Sequence, residues 1–267
     1  MCEQQTNPGG EQLHKELWND KLCRIDAGSG HVCKAEEGGI PVGMATDDNA
    51  AGGFGDKSKC ADYRSTAPKI GVIGGSFDPV HIGHVNLARD ALTQAKLDRV
   101  LFVPARMQPF KLDRTPASGE DRMEMLRLAL AEDPQIEPCA YELEHDNVSY
   151  TYLTLHGLQE QLGPEVKLYF IIGADSLLKL ETWMHADELM SKYAYIVGSR
   201  PGYLDQELED CRAYLQETYG TEILWIHNRE FNISATEIRR RIASGEPVSD
   251  LIPAPVEEYI KAHGLYR

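Results

Sequence analysis

The sequence predicts an α/β fold, a Rossmann-like parallel sheet with helices on both faces, preceded by an extension over residues 1–67. Three observations predict it. Short apolar runs recur along the chain, and several end in glycine or proline, as KIGVIGG and RVLFVP do. Such runs suit strands buried on both faces. Between them lie segments whose apolar residues recur at helical spacing, and strands alternating with helices form a parallel sheet. The composition also changes near Pro68.

Residues 1–67 come first and are rich in Gly, Asp, Glu, Lys and Ala. GSGHVCKAEEGG and DDNAAGGFGDKSK hold too little apolar surface to offset the entropy of ordering, so a disordered extension is expected. Cys23, His31 and Cys33 within it match no common metal-site spacing, and no protein-held metal is expected. Met44 offers a second start point.

From residue 68 the pattern is regular, and 68–267 is expected to be the catalytic domain. KIGVIGG (69–75) reads as a buried strand, residues 80–95 as a helix, RVLFVP (99–104) as a strand and EDRMEMLRLALAED (120–133) as a helix. A strand around 135–143 and a helix around 151–162 follow. KLYFIIG (167–173), YAYIVGS (193–199) and EILWIH (222–227) read as strands. SATEIRRRIASG (234–245) and PVEEYIKAHG (255–264) read as helices. In such sheets ligands bind beyond the carboxyl ends of the strands, where strand order reverses.

Charge narrows the function. Asp and Glu number 42 against 27 Lys and Arg, a net charge of −15. The densest basic run is Arg239-Arg240-Arg241, so no basic face for nucleic acid is visible. No run approaches the length of a transmembrane helix, and no secretory signal is evident. The six cysteines form no CxxC pair, which fits reduced thiols in a cytoplasmic protein. The expected partners are small molecules, with no nucleic acid and no membrane. Oligomeric state, homo-oligomer included, is left open.

The string GGSFDPVHIGHV (74–85) carries the chemistry. Gly74 and Gly75 after a strand allow a tight turn and close approach of a ligand to the backbone. Asp78-Pro79 reads as a helix start, with Asp as cap and Pro at the first helical position. His81 and His84 then share one face near the helix amino terminus, where free N–H groups suit phosphate. Their ring nitrogens can stabilise charge growing on phosphate oxygens, and neither needs to be a nucleophile. A second string, ISATEIR (233–239), holds a capping box, Ser234 to Glu237, with Thr236 and Arg239 beside it. Its plain alternative is a well-capped surface helix.

GGSFDPVHIGH resembles the GxFDPxHxGH signature of the nucleotidyltransferase superfamily, and ISATEIR resembles its ISSTxIR element, with Ala235 at the second Ser. Ser149-Tyr150-Thr151, Gly173-Ala174-Asp175-Ser176, Trp183, Arg200-Pro201-Gly202 and the ending LIPAPVEEYIKAHGLYR together resemble the bacterial nicotinate-nucleotide adenylyltransferase family over residues 69–267. The resemblance implies a nucleotidylyltransferase fold and adenylyl transfer from ATP, with Mg²⁺, to nicotinate mononucleotide in NAD biosynthesis. It implies catalytic roles for His81, His84 and Arg239. It implies ATP contacts from Gly74, Gly75, Ser76, Phe77, His81, His84, Gly173, Asp175, Arg200, Ser234, Thr236 and Arg239. Trp183 would stack on the nicotinate ring and Thr151 would hold its carboxylate. PARMQPFK (104–111) resembles a PxxxxPxK loop that places Lys111 near phosphate. Each residue keeps a plain alternative: Trp183 as core, Asp175 as a cap, Arg200 as a surface ion pair, Lys111 as solvated. Leu153 stands where the family usually has Asp.

Three rival readings remain. One is a related adenylyltransferase acting on nicotinamide mononucleotide or phosphopantetheine. Another is a tRNA-charging fragment, suggested by HIGH (81–84) and Met190-Ser191-Lys192. The third is a nucleotide-binding sensor without turnover.

Overall fold

The computed structural model of the chain describes residues 67–106, 117–145, 149–199, 206–228 and 233–267. The extension up to residue 66, Lys111 and Arg200 lie outside the described residues.

Six parallel strands form one sheet: β1 (Lys69–Gly75), β2 (Arg99–Pro104), β3 (Ile136–Pro138), β4 (Lys167–Gly173), β5 (Ala194–Ser199) and β6 (Ile223–His227). Their order across the sheet is β3-β2-β1-β4-β5-β6. Between them run α1 (Ile82–Gln94), α2 (Gly119–Leu130), α3 (Tyr141–Glu144), α4 (Thr151–Leu162), α5 (Ala174–Leu177), a 3₁₀ turn (Leu180–Thr182), α6 (Ala186–Lys192) and α7 (Gln206–Tyr219). After β6 come α8 (Ala235–Ala243) and α9 (Ala254–His263).

Successive strand side chains face opposite sides of a sheet, so each strand feeds two cores. Ile73, Val100, Phe102, Ile171 and Ile196 pack with α1, α2 and α9 on one face. Val72, Leu101, Val103, Phe170, Ile172 and Val197 pack with α4, α6 and α7 on the other. Residue 71 is glycine for a packing reason: a Cβ there would meet Ile171 Cδ1 and Leu97 Cδ1 at 2.8 Å.

Strand order reverses between β1 and β4. Their pairing runs from Lys69↔Lys167 to Val72↔Phe170. Both strands continue beyond it, β1 to Gly75 and β4 to Gly173. A crevice therefore opens between their carboxyl ends, as expected for a ligand site in this class of sheet.

Two elements differ from the sequence reading. The strand expected around 135–143 stops at Pro138, and Tyr141–Glu144 forms the short helix α3. Gln206–Tyr219 forms a helix that the apolar pattern of the sequence does not mark. No helix among the described residues is long and apolar enough to cross a membrane.

Candidate active site

The loop after β1 is built around Phe77, not around its glycines. Phe77 holds the left-handed turn at φ 46° and is 2% exposed. Its ring packs edge-on against His84, with centroids 5.0 Å apart, and against Phe102 at 5.1 Å. Gly74 is exposed and lines the crevice. A Cβ at residue 75 would press on the Phe77 ring at 3.0 Å.

Asp78 does not cap a helix, which corrects the sequence reading. The Asp78–Pro79 bond is cis, and α1 begins only at Ile82, with His81 as its N-cap. Asp78 is 1% exposed. Its Oδ1 accepts hydrogen bonds from the Ala117 N–H at 3.1 Å and the Tyr266 hydroxyl at 2.6 Å. Tertiary donors outcompete the local capping role because they sit on segments packed directly over the loop.

His81 and His84 come together, but not as two positions of one helix: His81 is the extended N-cap, at φ −138° and ψ 167°, and His84 is the third helical residue. Their rings stack at 3.5 Å. The His81 backbone N–H donates to His84 Nδ1 at 3.3 Å. An accepting Nδ1 places the proton of the neutral imidazole on Nε2, leaving that N–H as a donor. His84 lines the crevice. His81 is 7% exposed, and burial pushes its pKa down to about 4. It is neutral at pH 7, so any service to phosphate comes from a neutral ring. Its Nδ1 is buried without a hydrogen-bond partner.

The second motif touches the first through a backbone carbonyl. Arg239 Nη1 donates to the Asp78 carbonyl at 2.6 Å, and Nη2 donates to Thr236 Oγ1 at 3.0 Å. The Ser234 hydroxyl accepts from the Glu237 N–H at 3.2 Å, so Ser234 caps α8 as expected. The Glu237 carboxylate bonds Arg240 and Arg241, which draws its pKa down to about 2.

Arg122 is a buried member of this assembly that the sequence did not suggest. It is 3% exposed. Its guanidinium donates to the carbonyls of Ser76 (3.0 Å), Ala105 (2.7 Å) and Ala117 (3.1 Å). It thereby ties together the ends of β1 and β2, and places positive charge beneath the loop. Its signal is an arginine inside EDRMEMLRLAL, which reads as an exposed helix position.

The crevice is a cavity of about 1030 Å³. It is lined by Gly74, Gly75, Phe77 and His84 from β1, the loop after it and α1, and by Ser149, Tyr150, Thr151, Trp183 and Met184 from later in the chain. Gly173 forms part of its wall. Trp183 is half-buried, with its ring edge-on to Phe170 at 6.0 Å. It is core and cavity wall at once. Thr151 is the first residue of α4, and Tyr150, its N-cap, makes no side-chain cap bond. Glu142 also lines the cavity and went unrecognised within the expected strand. It accepts from Thr154 Oγ1 at 2.6 Å, and burial raises its pKa above the usual carboxylate range. His81, Ser76, Asp175, Ser234, Thr236 and Arg239 do not line this cavity. Asp175 is exposed in the first turn of α5.

The Met190-Ser191-Lys192 string has a structural explanation. Met190 is 1% exposed in the core, the Ser191 hydroxyl bonds the Asp187 carbonyl, and Lys192 pairs with Glu188 at 2.8 Å.

The cytidylyltransferase-like family model matches residues 72–241, which include both motifs and the whole of the β1–β6 sheet beyond its first residues. The chain belongs to that family. Among the relatives of this cytidylyltransferase-like chain is the Carboxydothermus hydrogenoformans protein named "Probable nicotinate-nucleotide adenylyltransferase". It is 42% identical over 199 residues, covering 74% of this chain and 98% of the relative. The Moorella thermoacetica protein of the same name is 38% identical and covered over 92% of its length. Among solved structures, Plasmodium falciparum nicotinic acid mononucleotide adenylyltransferase complexed with NaAD superposes with a TM-score of 0.62 at 20% identity. That superposition covers 74% of this chain and 97% of the other, and at such identity it speaks for the fold.

Proposed function

We propose that this protein transfers the adenylyl group of ATP to nicotinate mononucleotide, giving nicotinate adenine dinucleotide and pyrophosphate. One observation carries the reading. A single cavity at the strand-order reversal joins the loop carrying His84 to a wall carrying Thr151 and Trp183. Relatives 42% and 38% identical bear the corresponding name.

A 5′-phosphate oxygen of the acceptor attacks the α-phosphorus of ATP. The new P–O bond forms as the bond to the pyrophosphate oxygen breaks. The attacking group is already an anion, so no general base is needed. Catalysis is then positioning and charge stabilisation. Gly74, Gly75, Ser76 and Phe77 provide backbone against which the nucleotide lies. His84 donates Nε2–H to an α-phosphate oxygen, and His81 supports it from the N-cap position. Ser234, Thr236 and Arg239 face the outer phosphates. Gly173 and Asp175 lie at the carboxyl end of β4 and serve the ATP ribose. Arg200 and Lys111 are assigned to the ATP and phosphate side on resemblance alone. Trp183 stacks on the pyridine ring and Thr151 meets its carboxylate.

Magnesium belongs to the substrate as Mg-ATP, held by phosphate oxygens and water. Among the described residues there is no group of three or more His, Cys, Asp or Glu side chains that could hold a metal. The same reading places catalysis in residues 68–267 and the protein in the cytoplasm.

The test is pyrophosphate release from Mg-ATP with nicotinate mononucleotide, nicotinamide mononucleotide or phosphopantetheine as acceptor. Strong preference for the first is expected. Preference for another acceptor would keep adenylyl transfer and discard the assignment of Trp183 and Thr151. Release with none of them would overturn the reading.

A further inference from the structure

We propose that Tyr266, the next-to-last residue, is a positioning residue for the ATP half of the site, acting through Asp78. This rests on the reading that Mg-ATP lies against residues 74–84. The two residues are 188 positions apart, yet the Tyr266 hydroxyl donates to Asp78 Oδ1 at 2.6 Å. Asp78 is 1% exposed, so the bond forms away from water, where a hydrogen bond to a carboxylate is strong.

The position of Asp78 gives the bond its reach. The same Oδ1 accepts from the Ala117 N–H, which leads into α2. The Asp78 carbonyl accepts from Arg239 Nη1 at 2.6 Å, and Arg239 in turn holds Thr236. His81 follows three residues later. Asp78 is therefore the junction of the signature loop, the start of α2, the second motif and the carboxyl terminus. One end of this hydrogen bond, and the residue before its other end, sit in unusual backbone. Tyr266 has φ 63°, and Phe77, just before Asp78, has φ 46°. Such angles are uncommon in non-glycine residues. Gly264, at φ 62°, ends α9 and turns the chain back. The Tyr266 ring packs against the core beneath the loop, so the hydroxyl can be removed without removing the packing.

Tyr266→Phe is the gentle test. A purely stabilising tyrosine would shift the melting temperature and leave the kinetic constants alone. A positioning tyrosine lowers kcat/KM for Mg-ATP by about ten-fold, the size expected for losing one bond to a charged acceptor, while KM for nicotinate mononucleotide stays unchanged. Calorimetric binding of Mg-ATP without acceptor should weaken in parallel. That arm needs no acceptor, so a wild-type protein inactive on nicotinate mononucleotide would sink the functional reading alone. In the Asp78→Ala background, which lacks the acceptor, the Tyr266→Phe change should add nothing further. Unchanged ATP binding and kinetics in Tyr266→Phe, or losses that simply add in the double variant, would overturn the proposal.

Discussion

The loop from Ser76 to His84 and the wall at 149–151 and 183–184 meet at one cavity but differ in how many polar bonds hold them. On the loop side polar bonds converge from distant parts of the chain. Arg122 holds the Ser76 and Ala105 carbonyls, Tyr266 and Ala117 hold Asp78, and Arg239 holds the Asp78 carbonyl. On the wall one long-range bond, from the Arg106 N–H to Ser149 Oγ at 2.9 Å, is joined by the ring contact of Trp183 with Phe170, while Met184 is 43% exposed and α4 begins without a side-chain cap. Directional bonds fix atoms where charge moves between phosphates. Apolar contact suffices where a flat ring is recognised. The loop side should therefore govern turnover, and the wall should govern acceptor affinity.

His84→Ala is the largest expected break in that division. Losing a donor aimed at developing charge should lower kcat by about two to three orders of magnitude. KM for the acceptor should stay unchanged, because the ring faces the loop side. Steady-state kinetics with both substrates decide it, and normal turnover would remove His84 from the mechanism.

His81 sharpens the same side through stability. Its pKa is depressed from the ordinary 6.5 to about 4 by burial. Above pH 6.5 the ring is neutral whether folded or unfolded, and its contribution to stability is fully present. As pH falls from about 6.5 to about 4, the unfolded chain takes up a proton that the folded chain resists. Stability is lost through that window by up to about 3 kcal/mol and then levels off. Denaturant unfolding at a series of pH values should show this segment in the wild type and lack it in His81→Gln. Identical pH profiles would mean that His81 titrates normally.

Much of this arrangement was legible in sequence, and what was missed has a common cause. The strands are legible because burial on both faces demands continuous apolar runs, as in KLYFIIG and YAYIVGS. The nearness of His81 and His84 is legible, although the structure brings it about between the N-cap and the third residue of α1 rather than on one helix face. Asp78-Pro79 follows the local grammar of a helix start, but its partners lie 39 and 188 residues away. Arg122 and Glu142 are ordinary charged residues by any local measure. Only tertiary packing buries them. Helix α7 carries QELEDCRAYLQETY and buries just Leu208 and Leu215 fully, too sparse an apolar pattern to stand out.

Trp183→Ala tests the wall. The loss of a stacking face should raise KM for nicotinate mononucleotide by about ten-fold, with kcat and KM for ATP nearly unchanged. Trp183 also packs against the second core, so some loss of stability should accompany it. A fall in kcat with acceptor affinity intact would place the tryptophan on the wrong side of the comparison.

The smallest expected effect is that of removing residues 1–67. Both sides of the cavity, Arg122, Asp78 and Tyr266 lie within 74–267, and so do the contacts that hold them. The Carboxydothermus hydrogenoformans relative matches over 98% of its own length using 199 residues of this chain. A polypeptide beginning at Pro68 should therefore keep the wild-type kcat and both KM values. Loss of turnover in that shortened chain, measured beside the full-length protein, would mean that the extension contributes to one side of the cavity. The substrate whose KM then changes would say which side.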